Sequence, residues 1–231
     1  MSPTEGVLSQ AWEMYKAHWQ HLLTIALVVY VAAGLISLVL ALLLDAWAAG
    51  LLSALVSLVA TFWLQGALVR AVDDIRDGRA DLSFGETFAR VRPQLPAILV
   101  AGVLAALGII FGLILLIIPG LYLLTRWILI IPVIVLEGRS AGESFGRSWE
   151  LVRGNGWNDF GVIVLTILVL IGFRIVLDIL LFPLSNELQS FVTELVAGTL
   201  GTPFAVLAWT LLYFRLREAR EPAPAPAATP T

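Results

Sequence analysis

The chain has 231 residues, of which 59% are hydrophobic and only 13% are charged. A soluble domain carries about a quarter charged residues, and one water-soluble core cannot hide this much apolar sequence, so part of the solvent must be lipid. Because the chain contains no cysteine, disulfides, thiolate metal sites and thiol nucleophiles are excluded. The N-terminal segment lacks the pattern of a cleaved signal peptide, so we expect its first apolar run to be a retained membrane span.

Six apolar runs are each long enough to cross the hydrocarbon of a bilayer as a helix, which takes about 20 residues. None alternates apolar with polar residues as a half-exposed strand would, and a chain in lipid must satisfy its own backbone hydrogen bonds. The sequence therefore predicts an all-α integral membrane protein with six transmembrane helices. The runs are Leu22–Leu44, Leu51–Val72, Ala97–Ile118, Gly120–Leu136, Phe160–Leu181 and Phe191–Phe214.

Basic residues are confined to alternate connections between these runs. All 14 lysines and arginines except Arg126 and Arg174 lie before span one, near the segments that join spans two and three or spans four and five, or after span six. The other connections, Asp45–Gly50, Pro119–Gly120 and Pro183–Ser190, contain none. By the positive-inside rule, this asymmetry predicts that both termini are cytoplasmic.

A short amphipathic segment precedes each pair of spans. Before span one, apolar side chains recur at helical spacing at Leu8, Trp12, Tyr15 and Trp19, and similar patterns precede spans three and five. Each segment also begins with a Ser-x-x-Glu pattern typical of a helix capping box. These patterns are Ser2–Glu5, Ser83–Glu86 and Ser140–Glu143.

Similar motifs indicate an internal repeat. The pattern Ser-x-Gly-Glu-Thr/Ser-Phe-Ala/Gly-Arg fits both 83–90 and 140–147. We therefore expect three transmembrane hairpins, each preceded by a short cytoplasmic amphipathic helix. One membrane domain would cover 1–220, in units of about 2–77, 78–138 and 139–220, and the Pro/Ala-rich tail at 221–231 should be disordered.

Small residues and prolines within the spans predict close packing and kinks. Ala101, Ala105, Gly108 and Gly112 recur on one face of span three, where they allow close approach of a neighbouring helix. Pro132 should kink span four, because proline cannot donate a helical hydrogen bond, and Pro203 should do the same in span six.

The most specific motifs lie between Pro119 and Gly161. They are Pro119-Gly120-x-Tyr122, Arg126-Trp127, Pro132-Val133 and Arg147-Ser148-Trp149-x-Leu151-x-Arg153-Gly154. In these motifs, and over roughly Trp12 to Arg217, the sequence resembles the bacterial family described as the membrane domain of glycerophosphoryl diester phosphodiesterases, with its related six-span membrane proteins. In some relatives this domain precedes a soluble phosphodiesterase domain, which the present sequence does not contain. The resemblance therefore implies a multi-pass protein of the bacterial cytoplasmic membrane, and it does not imply a hydrolase.

Four charged residues, Arg126, Arg174, Asp178 and Glu194, are expected inside the membrane. A charge at such depth costs a few kcal/mol unless it is paired or hydrated. Arg174 and Asp178 are four residues apart on one helix face and can pair, and Arg126 would join them if spans four, five and six pack together. Two interpretations remain open: an outward-facing polar cavity that binds an anionic group such as a lipid phosphate, or a buried ion-pair network that fixes hairpin packing.

Basic and tryptophan side chains at the predicted cytoplasmic interface are candidate lipid contacts, because arginine meets anionic headgroups and indole rings prefer the headgroup level. These residues are Trp12, Lys16, Trp19, Arg90, Arg147, Trp149, Arg153 and Trp157. His18 and His21 have no further candidate ligands nearby, so we expect no metal site. No nucleophile–base pattern or phosphate-binding loop stands out, so we expect neither a catalytic residue nor a cofactor.

The sequence thus favours a non-enzymatic membrane protein that organises or binds lipid, or a membrane-protein partner, at the cytoplasmic interface. The alternative is a small transporter or lipid-handling protein with an intramembrane anion site at Arg126 and Arg174. Nothing indicates a nucleic-acid partner.

Overall fold

A computed structural model describes residues 6–78, 82–154 and 156–221, apart from the side chains of residues 186 and 187. Within these ranges the chain forms only helices and their connections, and six helical segments are long and apolar enough to cross a membrane. The prediction of an all-α membrane protein is thereby confirmed. The predicted capping box at Ser2–Glu5 and the tail beyond residue 221 lie outside the described residues.

Nine α-helices and one 3-10 turn follow one another in the described part of the chain. They are α1 (Val7–Leu43), α2 (Ala46–Arg76), α3 (Phe84–Val91), the 3-10 turn Arg92–Gln94, α4 (Leu95–Leu115), α5 (Ile117–Trp127), α6 (Ile130–Glu137), α7 (Ala141–Val152), α8 (Gly156–Leu180) and α9 (Asn186–Arg220).

Most of the arginines gather at one end of the helix bundle, which we call the basic side. There α2 ends beside α9, with Arg76 paired to Glu218, and α9 ends beside the start of α1, with Arg215 donating to Gln10 at 2.8 Å. The other end, which we call the opposite side, holds the turns that join α1 to α2, α4 to α5 and α8 to α9.

The buried core lies towards the basic side. Leu64 and Leu68 of α2 pack there with Val133 of α6 and with Leu207 and Leu212 of α9, and all five are fully buried. Towards the opposite side, large apolar side chains are exposed instead, such as Leu42, Trp47, Ile118 and Phe182. Such an apolar exterior suits lipid, since α-helices already satisfy their own backbone hydrogen bonds.

The first amphipathic segment is not a separate helix. It is continuous with span one in α1, and the backbone leaves helical geometry at His18, where φ is −122° and ψ is 22°. Before this kink, the rings of Trp12 and Tyr15 pack edge-on against Phe204 of α9. The tertiary contact thus holds the segment against the bundle.

Span four differs from the prediction in two places. The turn from α4 to α5 lies at Leu116, in extended geometry, rather than at Pro119–Gly120. Pro119 falls in the first turn of α5, where a missing N–H costs nothing. The span is then divided at Ile128 and Leu129 into α5 and α6, because Pro132 has no N–H to donate to the carbonyl four residues earlier. In contrast, α9 stays helical through Pro203.

Glycines bring α4 and α5 into close contact. A Cβ atom on Gly120 would lie 2.4 Å from Cγ of Leu113, and one on Gly112 would lie 2.9 Å from the Cα atom of Gly120. A Cβ atom on Gly108 would lie 2.5 Å from the Trp127 ring. The small-residue face of span three therefore packs within the chain.

The short helices α3 and α7 are built alike. Each begins with a complete capping box, at Ser83 with Glu86 and at Ser140 with Glu143. In each, the phenylalanine of the shared motif packs edge-on against a tryptophan of the preceding span: Phe88 against Trp63 at 5.5 Å and Phe145 against Trp127 at 5.1 Å between ring centroids.

Candidate functional site

Arg126, in the last turn of α5, lies against α7. Its Nη1 atom donates to the carbonyl oxygen of Trp149 at 3.4 Å, and the guanidinium lies 4.8 Å from the centroid of the Trp149 ring and 5.1 Å from that of Tyr122. In return, the Ser148 hydroxyl donates to the carbonyl of Arg126 at 2.7 Å. These contacts hold the guanidinium against two neighbouring aromatic rings.

A cavity of about 560 Å³ opens beside Arg126, between α5 and the start of α8. Arg126 supplies its charge, Tyr122 and Trp157 supply aromatic rings, and one helical stripe of α5 supplies an apolar wall. Trp157 is 86% exposed and Ile118 is 81% exposed, so the cavity is open to its surroundings. Its lining consists of Ile118, Leu121, Tyr122, Thr125, Arg126, Gly154, Gly156, Trp157, Asn158 and Phe160.

Most N–H groups of the Arg126 guanidinium have no hydrogen-bond partner among the described residues. Of its five N–H groups, one reaches the Trp149 carbonyl, and no carboxylate oxygen of the described residues lies within 4.0 Å of it. The carboxylate of Asp159 interacts with it electrostatically, but Asp159 is fully buried and its two oxygens form no hydrogen bond in the described part of the chain. The charge of Arg126 is therefore only partly compensated.

Arg220 holds the same end of α7 from the side of α9. Its Nε atom donates to the carbonyl of Leu151 at 3.2 Å, and its guanidinium also donates to the carbonyl of Arg153. The last carbonyls of a helix lack intrahelical partners and carry partial negative charge, so arginine donors stabilise them. Asp159 interacts electrostatically with both Arg126 and Arg220, and this cluster of two arginines and one aspartate has an excess of positive charge.

An ion-pair network joins the start of α7 to α6 and α9. Glu137 accepts from Arg147 at 3.0 Å, from Arg139 at 2.8 Å and from the Tyr213 hydroxyl at 3.0 Å. Arg147 also pairs with Glu221 at 2.5 Å. Arg147 was predicted to contact lipid, but its side chain is only 13% exposed, and its donors are occupied by carboxylates. Its position therefore favours a structural role.

The other predicted interfacial residues are more accessible. Trp12, Lys16, Trp19, Arg90, Arg153 and Trp157 are exposed, and Trp149 is partly covered by Arg126 and Tyr122. Their contact with lipid stays a prediction.

The remaining intramembrane charges form a separate cluster on the opposite side. Arg174 pairs with Glu194 at 3.2 Å and approaches Asp178 at 3.9 Å, and the Thr193 hydroxyl donates to Asp178 at 3.0 Å. Arg126 is not among them, because Arg174 lies about 22 Å further along α8 than Asp159. An anion site that uses Arg126 and Arg174 together is therefore not formed.

Sequence reasoning missed Asp159, Glu137 and Arg220 as site residues. Asp159 precedes the predicted start of span five and Glu137 follows the predicted end of span four, and charged residues are common at the ends of spans. Arg220 was used only as one of the basic residues that predict the orientation in the membrane. Their partners are distant in sequence, so a pattern in one chain does not reveal the pairing.

The model of the family described as the membrane domain of glycerophosphoryl diester phosphodiesterase matches residues 90–216. The chain belongs to this family. The match covers α4 to α8 and most of α9, including the cavity beside Arg126. Comparisons with curated proteins and with solved structures gave no match. Membership thus confirms the resemblance and identifies a multi-pass membrane domain of an enzyme family.

Proposed function

We propose that this membrane domain binds an anionic phospholipid in the cavity between α5 and α8, with the phosphate on Arg126. The cavity itself carries the proposal, because it combines one incompletely paired guanidinium with aromatic and apolar walls. A phospholipid has the same division between an anionic head and apolar chains. No catalysis is part of the proposal: the described lining contains no paired nucleophile and base.

The chemistry of the lining suits a phosphate. A guanidinium offers planar donors that match two phosphate oxygens at once, and the rings of Tyr122 and Trp149 hold it in place. Trp157 is a suitable headgroup neighbour because indole prefers the membrane interface. Acyl chains would lie along the exposed apolar side chains of α5, beginning at Leu121 and Ile118.

We also propose the finer architecture that the sequence predicted. Three membrane hairpins, each with an amphipathic helix at its start, would lie in the bacterial cytoplasmic membrane with both termini and the basic side facing the cytoplasm. The arginine asymmetry supports this orientation, and the equivalent caps and Phe–Trp contacts of α3 and α7 support the repeat. The lipid would then come from the cytoplasmic leaflet, where a domain without catalysis can organise lipid or present it to a partner.

Native mass spectrometry of the detergent-solubilised protein tests this proposal with short-chain phosphatidylglycerol and phosphatidylcholine as probes. We expect Arg126→Gln to lower retention of phosphatidylglycerol by about tenfold or more, since one charge-assisted hydrogen bond is worth about 1.5–3 kcal/mol. Arg126→Lys should retain part of the binding. Arg153→Gln is the matched control, because that arginine is exposed and precedes Gly154 of the cavity, but does not itself line the cavity.

Arg126 also supports α7, so the melting temperature of each variant must be measured in the same detergent. A folded Arg126→Gln protein that retains phosphatidylglycerol like the wild type would refute the proposal. Equal losses in the Arg126→Gln and Arg153→Gln variants would also refute it, because they would show a general attraction to a basic surface.

A further inference from the structure

A second cavity, of about 170 Å³, lies between α1, α2 and α9. It is lined by residues 29–37 of α1, residues 57–64 in the middle of α2 and residues 191–195 in the first turns of α9, and it extends from the core towards the opposite side. Small residues of α1 and α2, such as Gly34 and Ala60, leave the space. Its chemically distinctive lining residues are Tyr30, Ser37, Ser57, Thr61, Phe191 and Glu194.

Three hydroxyl groups in this lining have no hydrogen-bond partner among the described residues: those of Ser37, Ser57 and Thr61. Threonines elsewhere in the bundle behave differently. Thr166 donates to the carbonyl four residues earlier at 2.7 Å, and Thr210 does the same at 2.7 Å, which is the usual solution for a hydroxyl on a helix in lipid. The lining hydroxyls are therefore available to a polar group in the cavity.

The charge beside this cavity is negative. Among the described side chains of the opposite-side cluster, Arg174 is matched by two carboxylates, Asp178 and Glu194, which leaves one excess negative charge. Asp178 also accepts from Thr193, whereas Glu194 lines the cavity and its side chain is 67% exposed. The cavity therefore attracts a cation rather than an anion.

We propose that this cavity binds a primary ammonium group, carried by a zwitterionic aminophospholipid or by a small free amine. Glu194 supplies the counter-charge, and the rings of Tyr30 and Phe191 supply the aromatic surface that cations prefer. The oxygens of Ser37 and Ser57 accept N–H donors, which a trimethylammonium group lacks. This site uses other helices and the opposite charge from the Arg126 cavity, so it stands independently of the proposed function.

The test compares Glu194→Gln with Asp178→Asn in the full-length protein. Both variants remove one negative charge and one partner of Arg174, but only Glu194 lines the cavity. The probes are short-chain phosphatidylethanolamine and phosphatidylcholine, followed by native mass spectrometry, and ethanolamine alone, followed by calorimetry. We expect Glu194→Gln to lower retention of phosphatidylethanolamine about tenfold, because the ammonium group loses a charge-assisted hydrogen bond. Asp178→Asn should change this retention less than about twofold, because Asp178 does not line the cavity.

The double variant Ser37→Ala with Ser57→Ala should lower the ratio of phosphatidylethanolamine retained to phosphatidylcholine retained. Binding of the lipid without binding of ethanolamine would identify a lipid headgroup site, and binding of both would show that the amine suffices. Equal retention in the wild type and a folded Glu194→Gln protein would overturn the proposal, as would equal losses in the Glu194→Gln and Asp178→Asn variants. Arg126→Gln should leave this binding unchanged, so the two proposals can fail separately.

Discussion

Gly120→Ala should destabilise the protein through a clash between α4 and α5. The added Cβ atom would lie 2.4 Å and 2.5 Å from Cγ and Cδ2 of Leu113, and 2.6 Å from the backbone nitrogen of Leu113. Rotation of the leucine can relieve the first two contacts, but the third involves backbone and requires the helices to separate. Overpacking costs about 1–3 kcal/mol. Because one of these contacts is to backbone, we expect a cost in the upper part of this range, which exceeds the gain in helix propensity of about 1 kcal/mol from glycine to alanine.

Gly172→Ala is the matched control for this experiment. Gly172 is also helical, and a Cβ atom placed there meets nothing within 4 Å. The control should therefore be neutral or stabilised by up to about 1 kcal/mol. The free energy of unfolding of both variants can be measured by SDS titration from mixed micelles, with helix content followed by circular dichroism.

The two variants should differ in sign, with Gly120→Ala below the wild type and Gly172→Ala at or above it. If Gly120→Ala is as stable as Gly172→Ala, then α4 and α5 do not pack as closely as described. The role assigned to Gly120, close packing rather than formation of a turn, would then be refuted.

Two further predictions concern α7. Glu137→Gln should cost about 2–4 kcal/mol, because it removes the carboxylate that accepts from Arg147, Arg139 and Tyr213, and Arg147 is largely buried. Arg139→Gln removes only a more exposed ion pair of this network and should cost at most about 1 kcal/mol. Equal losses of unfolding free energy in the two variants would contradict this prediction. The Ser140 hydroxyl and backbone N–H lower the pKa of Glu143 below its ordinary value of 4.5. The ionised Glu143 of the capping box therefore stabilises the fold fully above pH 4.5, and this stabilisation is lost as the pH falls through the lowered pKa. The stability difference between wild type and Ser140→Ala should therefore shrink from pH 6 to pH 3, and a constant difference would contradict the assigned cap.

Sequence patterns predicted the elements whose causes are local. Hydropathy located the spans because twenty apolar residues are a property of one segment, and the boxes at Ser83 and Ser140 were readable because a cap and its partner are three residues apart. The break before Pro132 also followed from a single residue. In contrast, the turn between α4 and α5 was predicted at Pro119–Gly120 but lies at Leu116. A Pro-Gly pair is typical of a turn, and the sequence does not show that this glycine serves helix packing instead.

The candidate site was less predictable because its partners are remote in sequence. Arg126 was grouped with Asp178 and Glu194 by assumed depth alone. In the structure, Arg126 instead lies against α7. Its guanidinium donates to the carbonyl of Trp149, and its own carbonyl accepts from the Ser148 hydroxyl. That contact depends on the division of span four at Ile128 and Leu129 and on the path of the chain after Glu137, which no local pattern specifies.

The separation of the charges has a consequence for the proposed ligands. The cluster of Arg126, Arg220 and Asp159 has an excess positive charge, and the cluster of Arg174, Asp178 and Glu194 has an excess negative charge, with both clusters touching α8. Because Arg174 lies about 22 Å further along α8 than Asp159, the helix separates the two clusters by most of the roughly 30 Å of bilayer hydrocarbon. A single lipid therefore cannot satisfy both clusters. If both proposals hold, the domain selects an anionic head on the basic side and an ammonium head on the opposite side, and reversing one charge should change binding in one leaflet only.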